Sequence, residues 1–146
     1  TLRKDIAVPA SNGGPVWERS IEDILQVLGG REEGFVAFDA DFGGETSSGV
    51  HAFCPMKRIA LPVATVSVQT EPGDSELELS VRVSADAPAP YTFLSAGPFR
   101  GRFSDNGFLL LPGEDRFLSF HAWDGPVTPE DFREHCTVKT IRDTYE

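Results

Sequence analysis

The stretch Glu76-Leu77-Glu78-Leu79-Ser80-Val81-Arg82-Val83 decides the fold. Its apolar residues Leu77, Leu79, Val81 and Val83 alternate with Glu76, Glu78, Ser80 and Arg82. Successive side chains on an extended chain point to opposite faces, so one face of this segment is suited to burial and the other to water. A helix would scatter the same residues around its circumference. Just upstream, Thr65 to Thr70 repeats the period with Val66 and Val68 on the inner side. Between the two runs, Glu71-Pro72-Gly73-Asp74 has the composition of a chain reversal, since Pro presets φ and Gly accepts positive values. The two runs are expected to form a hairpin.

Further runs of the same character cover Phe35 to Phe42, Val50 to Phe53, Tyr91 to Ala96, Phe108 to Leu111, Arg116 to Trp123 and Thr137 to Thr140, with Pro and Gly between them. The chain therefore reads as mainly β, and the strand spacing suits an immunoglobulin-like β-sandwich. One segment departs from period two. Ile21, Ile24, Leu25 and Leu28 fall at helical spacing behind an N-cap at Ser20, with Asp23 three residues on and Gly29-Gly30 as a stop. A short helix is expected there, near 21–28. Thr128-Pro129-Glu130-Asp131 carries a similar start signal, and a helical turn is expected before Cys136.

A seam falls near Lys57 to Val63. After it, residues 61–146 hold enough short strands for a complete seven-stranded sandwich. Before it, residues 1–60 offer two or three strands and one helix, a partial second β-sandwich with a thin core. The chain begins at Thr1 and its one methionine is Met56, so a processed product or a piece of something longer is expected. An unpaired strand edge in the first unit would invite pairing with a second copy.

Composition narrows the function. The formal net charge of −10 and the scattered thirteen Lys and Arg disfavour nucleic acid and anionic membrane partners. No apolar run is long enough to span a bilayer. Neither Asn12 nor Asn106 begins a glycosylation sequon. Cys54 and Cys136 have no zinc-ligand spacing and are expected as buried free thiols, with a single long-range disulfide left open.

Other candidates read blandly. Asp39 with Asp41, and Glu32 with Glu33, are expected as solvent-facing acids rather than an acid pair. Asp105 and Asn106 are expected as turn residues rather than calcium or sugar ligands. His51, His121 and His135 lack the spacing of a helical metal pair and read as local hydrogen-bonding partners. Gly29-Gly30 and Gly43-Gly44 lack the strand-to-helix setting of a phosphate loop, and read as helix stop and turn. Trp17, Tyr91, Trp123 and the eleven phenylalanines are assigned to core or interdomain packing, with stacking on sugar rings as the alternative.

The segment Gly101-Arg102-Phe103-Ser104-Asp105-Asn106-Gly107-Phe108-Leu109-Leu110-Leu111-Pro112-Gly113-Glu114 resembles the C-terminal domain of β-mannosidases of glycoside hydrolase family 2. The likeness continues elsewhere. Ser20 to Leu25 looks like the short helix of the preceding family domain, Val50 to Lys57 like the strand entering the last one, and Val138 to Tyr145 like the family's C-terminus. The resemblance places Thr1 inside the penultimate domain.

It implies a parent enzyme that removes terminal non-reducing β-D-mannose with retention, using two glutamates on a (β/α)₈ barrel that this chain does not include. The family's acid/base glutamate follows an asparagine, whereas Asn12 and Asn106 are each followed by glycine. No catalytic, cofactor-binding or metal residue carries over. The implied partners are the catalytic and N-terminal domains of the parent glycosidase, with weak sugar contact as a further option. An exo-β-glucosaminidase or a mannosylglycoprotein endo-β-mannosidase is the alternative parent, but those relatives tend to carry a bulky aromatic where Gly107 stands.

Overall fold

Strand periodicity, caps and glycines act together in the computed structural model, which describes residue 15, residues 17–42 and residues 44–145. Thr1, Asn12 and Gly43 lie outside the described residues. Among the described residues the first element is helix α1 (Ile21–Leu28), followed by strands β1 (Phe35–Phe42) and β2 (Glu45–Ala52). The expected caps form: the Ser20 side chain accepts from the Asp23 N–H at 3.1 Å, and Gly29, at φ 89°, closes the helix by donating to the Leu25 carbonyl. Strand β2 begins five residues earlier than its apolar pattern suggested. Glu45 to Gly49 carries no alternation, and its pairing with β1, from Phe42↔Glu45 to Phe38↔Gly49, is what extends it.

After Met56–Arg58, a 3₁₀ turn, come β3 (Val66–Pro72), β4 (Glu78–Ala85), β5 (Ala89–Ser95), β6 (Gly101–Phe103), β7 (Phe108–Leu110) and β8 (Asp115–Ala122). Helix α2 (Pro129–His135), β9 (Thr137–Lys139) and a second 3₁₀ turn, Ile141–Thr144, complete the order. One sheet has the order β3-β4-β8-β6, and the other β7-β5-β9. Among the described residues every pairing is antiparallel. The two sheets face each other across one core, as in an immunoglobulin-like β-sandwich.

The expected hairpin is β3–β4, with Val68 opposite Val83 and Thr70 opposite Val81. The deciding stretch is displaced by two residues, so its inner face is intact but its ends differ. Leu77 precedes the strand and is 37% exposed, and Ala85 takes the buried place at the other end. The reversal is also later, because β3 runs through Pro72 and the loop occupies residues 73–77, tied by Gly73 N–H to the Glu78 carbonyl at 2.8 Å. Leu79, Val81 and Val83 meet Leu118 and Phe120 from β8, Leu94 from β5, and Phe108 and Leu110 from β7. Burying each such side chain contributes about 1.5–3 kcal/mol.

Helix α2 is longer than the single turn expected. Thr128 caps it by accepting from the Asp131 N–H at 3.1 Å, and the Cys136 N–H donates to the Phe132 carbonyl at its end. The helix buries Phe132 completely among Phe99, Phe103 and Phe120, with ring centroids 6.5, 6.0 and 4.9 Å away.

The segment from Met56 to Leu61 is held by the far end of the chain. Ile59 and Leu61 are buried. The Tyr145 hydroxyl lies 2.8 Å from the Met56 carbonyl and 3.0 Å from that of Ile59, donating to one at a time, while Arg142 Nε donates to the Leu61 carbonyl at 3.1 Å. The Arg142 guanidinium lies over the Tyr145 ring at 4.7 Å. Tyr145→Phe should cost about 1 kcal/mol in urea denaturation, the worth of one ordinary hydrogen bond.

Burial pushes the Tyr145 phenol above its ordinary value. Its stabilising contribution is therefore intact below about pH 10 and is lost as pH rises through the raised value. The Tyr145→Phe and parent curves should accordingly converge above that pH. A gap that persists there would show that the hydroxyl is not what holds the Met56 to Ile59 segment.

Candidate functional site

The turn that carries the family resemblance is a piece of sheet construction. Asn106 Nδ2 donates to the Leu94 carbonyl at 2.9 Å, and Asn106 Oδ1 accepts from the Leu94 N–H at 2.8 Å. The side-chain amide thus does for β5 what a backbone amide of a neighbouring strand would do, just beyond the end of β7. Gly107, at φ 78°, turns the chain into β7 and donates to the Thr92 carbonyl at 3.0 Å. Asp105 accepts from the Asn106 N–H at 2.8 Å and pairs with Arg116 at 2.6 Å. Ser104 Oγ accepts from the Ser119 N–H at 3.0 Å. The Asp, Asn and Gly of this turn serve the backbone, as their residue types suggested.

Two concave surfaces stand out among the described residues. The larger, about 580 Å³, opens between the β1–β2 hairpin and the edge of the sandwich, and is lined by Asp39, Ser48, Tyr91, Phe108, Glu114 and Arg116 among others. Tyr91 has φ 52°, a left-handed backbone uncommon for an aromatic residue, at the register shift of β5 against β7 between Ala89 and Thr92. The smaller, about 350 Å³, is a groove on the outer face of the four-stranded sheet, where Gln69, Ser80, Arg82, Ser104, Phe117 and Ser119 meet. Arg82 pairs with Asp115, and its guanidinium lies 5.9 Å from the centre of the Phe117 ring.

The acids do not assemble into a pair. Asp39 and Asp41 share an exposed face of β1; Asp41 accepts from Thr46 Oγ1 at 2.6 Å, and Asp39 turns toward the larger cleft. Glu32 and Glu33 are exposed. Of the histidines, His135 Nδ1 has a hydrogen-bond partner in the Asp131 carbonyl at 2.8 Å. His51 packs its edge against Phe53 at 4.9 Å, and His121 lies exposed on the outer sheet face. Cys54 and Cys136 are free, and both are half-buried rather than buried. Burial raises the Cys136 thiol above its ordinary value. Among the described residues, no three His, Cys, Asp or Glu side chains gather as a metal site, and no helix is long and apolar enough to cross a membrane.

The core assignment of the aromatics fails for several of them within this chain. Trp123 is 57% exposed and Phe117 73%, and Trp17, Tyr91 and Phe93 also reach solvent. Phe117 and Trp123 sit at outward positions of a strand whose alternate residues Leu118, Phe120 and Ala122 fill the core. Alternation placed these residues on one face, but a single strand does not say which of its two apolar faces is the inner one. The groove was also missed, because it joins the β3–β4 hairpin to β8, far along the chain.

A seven-stranded sandwich with an end helix defines an immunoglobulin-like domain rather than an enzyme barrel. The family model for the mannosidase Ig-fold domain matches residues 61–144, more than half of the chain, and the chain belongs to that family. Among curated proteins, β-mannosidase of Bos taurus is 34% identical over 82 residues, which is 56% of this chain and 8% of that protein. β-Mannosidase of Capra hircus is 27% identical over 153 aligned positions, 99% of this chain and 16% of that protein. That of Mus musculus is 35% identical over 63 residues, 43% of this chain and 7% of that protein. The chain spans at most 16% of the length of these curated relatives.

Proposed function

We propose that this chain is the non-catalytic C-terminal β-sandwich portion of a β-mannosidase, a retaining glycosidase that releases terminal non-reducing β-D-mannose, and that it packs against the catalytic barrel. The observation that carries the packing half of the proposal is the bareness of the first unit. From residue 17 to residue 58, none of the described side chains is fully buried. Helix α1 has an apolar stripe with Ile21 in the open, and both faces of the β1–β2 hairpin are accessible, with Phe38 and Val50 exposed. A two-stranded hairpin and an eight-residue helix are marginal without cover. An amphipathic pattern that no described residue covers calls for a partner surface, and the remainder of a longer mannosidase would supply one.

Two measurements test this. The purified chain should release chromophore from a nitrophenyl β-mannoside no faster than buffer; turnover would sink the non-catalytic reading. Amide exchange in β1 and β2 should be fast in this chain alone and slowed at least tenfold in the longer enzyme. Equal exchange in the two would remove the packing reading. Among the described residues no strand pairs with the outer edges of β1 and β2, which suits pairing with a second copy that light scattering on the chain alone would reveal as a dimer.

A further inference from the structure

We propose that the outer face of the four-stranded sheet is a binding groove for a neutral, extended oligosaccharide. Its spine is β8 and the residue after it. Phe117, Ser119, His121 and Trp123 occupy alternate positions, and the Trp123 N–H donates to the Arg100 carbonyl at 2.9 Å, which continues the ladder beyond the strand's end. At about 3.3 Å per residue, the two aromatic rings stand roughly 20 Å apart, room for a run of several sugar rings.

Beside Phe117 the floor is low and polar, and it rises toward Trp123, where Glu78, His121 and Arg102 form the last row. Register sets Gln69, Arg82 and Phe117 in one cross-strand row, and Glu71, Ser80 and Ser119 in the next. The small serines make the 350 Å³ depression beside Phe117. Ser104 Oγ already accepts from the Ser119 N–H, so its own proton is free to donate outward. Hydroxyls and a carboxamide beside an open aromatic face match a pyranose, which presents hydroxyls at its rim and C–H bonds on its faces.

A protein partner fits less well. Protein interfaces are depleted in serine at their cores and gather apolar and aromatic anchors together, whereas Phe117 stands among serines. Charge selects an uncharged ligand. Arg82 is neutralised by Asp115 and steadies the Phe117 ring, Glu71 and Glu78 on the same face offset Arg102, and the chain's net charge of −10 opposes an acidic sugar.

The test is a titration of the full chain with β-1,4-linked mannotetraose and cellotetraose, and in parallel with tetragalacturonate, followed by backbone amide shifts. Saturable shifts centred on Ser80, Ser119 and Trp123 are expected with at least one neutral sugar. Phe117→Ala, at an exposed position that leaves the core untouched, should weaken that binding at least tenfold with an unchanged circular dichroism spectrum. Three outcomes would overturn the proposal: no shifts on this face at millimolar neutral sugar, equal or tighter binding of the acidic sugar, or sugar binding that disappears in the longer enzyme because protein covers the face.

Discussion

Phe132→Ala should lower the thermal midpoint of the sandwich by on the order of 15 °C or more, the largest single-residue effect expected in this chain. The ring is completely buried, and three other phenylalanine rings close around it. Phe-to-Ala changes in such cores cost about 3–5 kcal/mol, of which part is the cavity left behind. A domain of this size gives up about 4–8 °C per kcal/mol, and total stabilities of 5–15 kcal/mol leave little in reserve. Phe132→Leu, which refills most of the volume, should recover more than half of the loss. Thermal melts followed by circular dichroism would read both. A shift of only a few degrees for the alanine variant would mean that α2 is an appendage rather than the plug of the core.

Asn106→Ala should cost about 2–4 kcal/mol, because it removes both partners of the Leu94 peptide groups at once. Leu94 is itself buried, so its N–H and carbonyl would be left with a poorly hydrated space where an amide had been. The charged isostere separates hydrogen bonding from shape. Asn106→Asp keeps an acceptor for the Leu94 N–H but sets a carboxylate oxygen against the Leu94 carbonyl. Only the protonated acid can donate there, which raises the folded-state pKa of the new group. The loss in N106D should therefore be small below the unfolded value of about 3.9 and grow as pH rises through the folded value, relative to the parent at each pH. Urea midpoints at pH 3.5 and 7 would measure it. A deficit that does not change with pH would count against the ladder-replacing role.

The structure explains which parts of the fold were readable. Alternation in Val66 to Val83 found the β3–β4 hairpin because one face of each strand is buried and the other is wet, the condition under which period two appears in a sequence. The caps at Ser20 and Thr128 were readable for a local reason, since each satisfies a backbone N–H three residues on. Strand β6 was not expected. Gly101–Phe103 is too short to alternate, and it exists because Ala122 and Phe120 on β8 pair with it. Helix α2 was foreseen only as a turn, because Phe132, the residue that holds it in place, finds its partners at Phe99, Phe103 and Phe120.

The candidate site was less legible than the fold. Asn106 was recognised as a turn residue, but its service to Leu94 depends on where β5 passes. Trp123 and Phe117 were assigned to core or interdomain packing because apolar residues are usually buried, but within this chain the core is already filled by Leu118, Phe120 and Ala122. Aromatic character alone does not separate an anchor for a core from a platform for a ligand. Exposure does, and exposure follows from the other sheet.

Strand β4 lies between two neighbours that reach it by different routes. Val81 pairs with Thr70, just across the turn, and with Leu118, far along the chain. The first pairing closes a short loop and the second a long one, so hairpin β3–β4 is expected to form before β8 is captured. Non-local pairings of this kind put refolding in the millisecond-to-second range. They also make the half-assembled state, with one edge of β4 bare, the moment at which this domain is most open to pairing with the wrong strand.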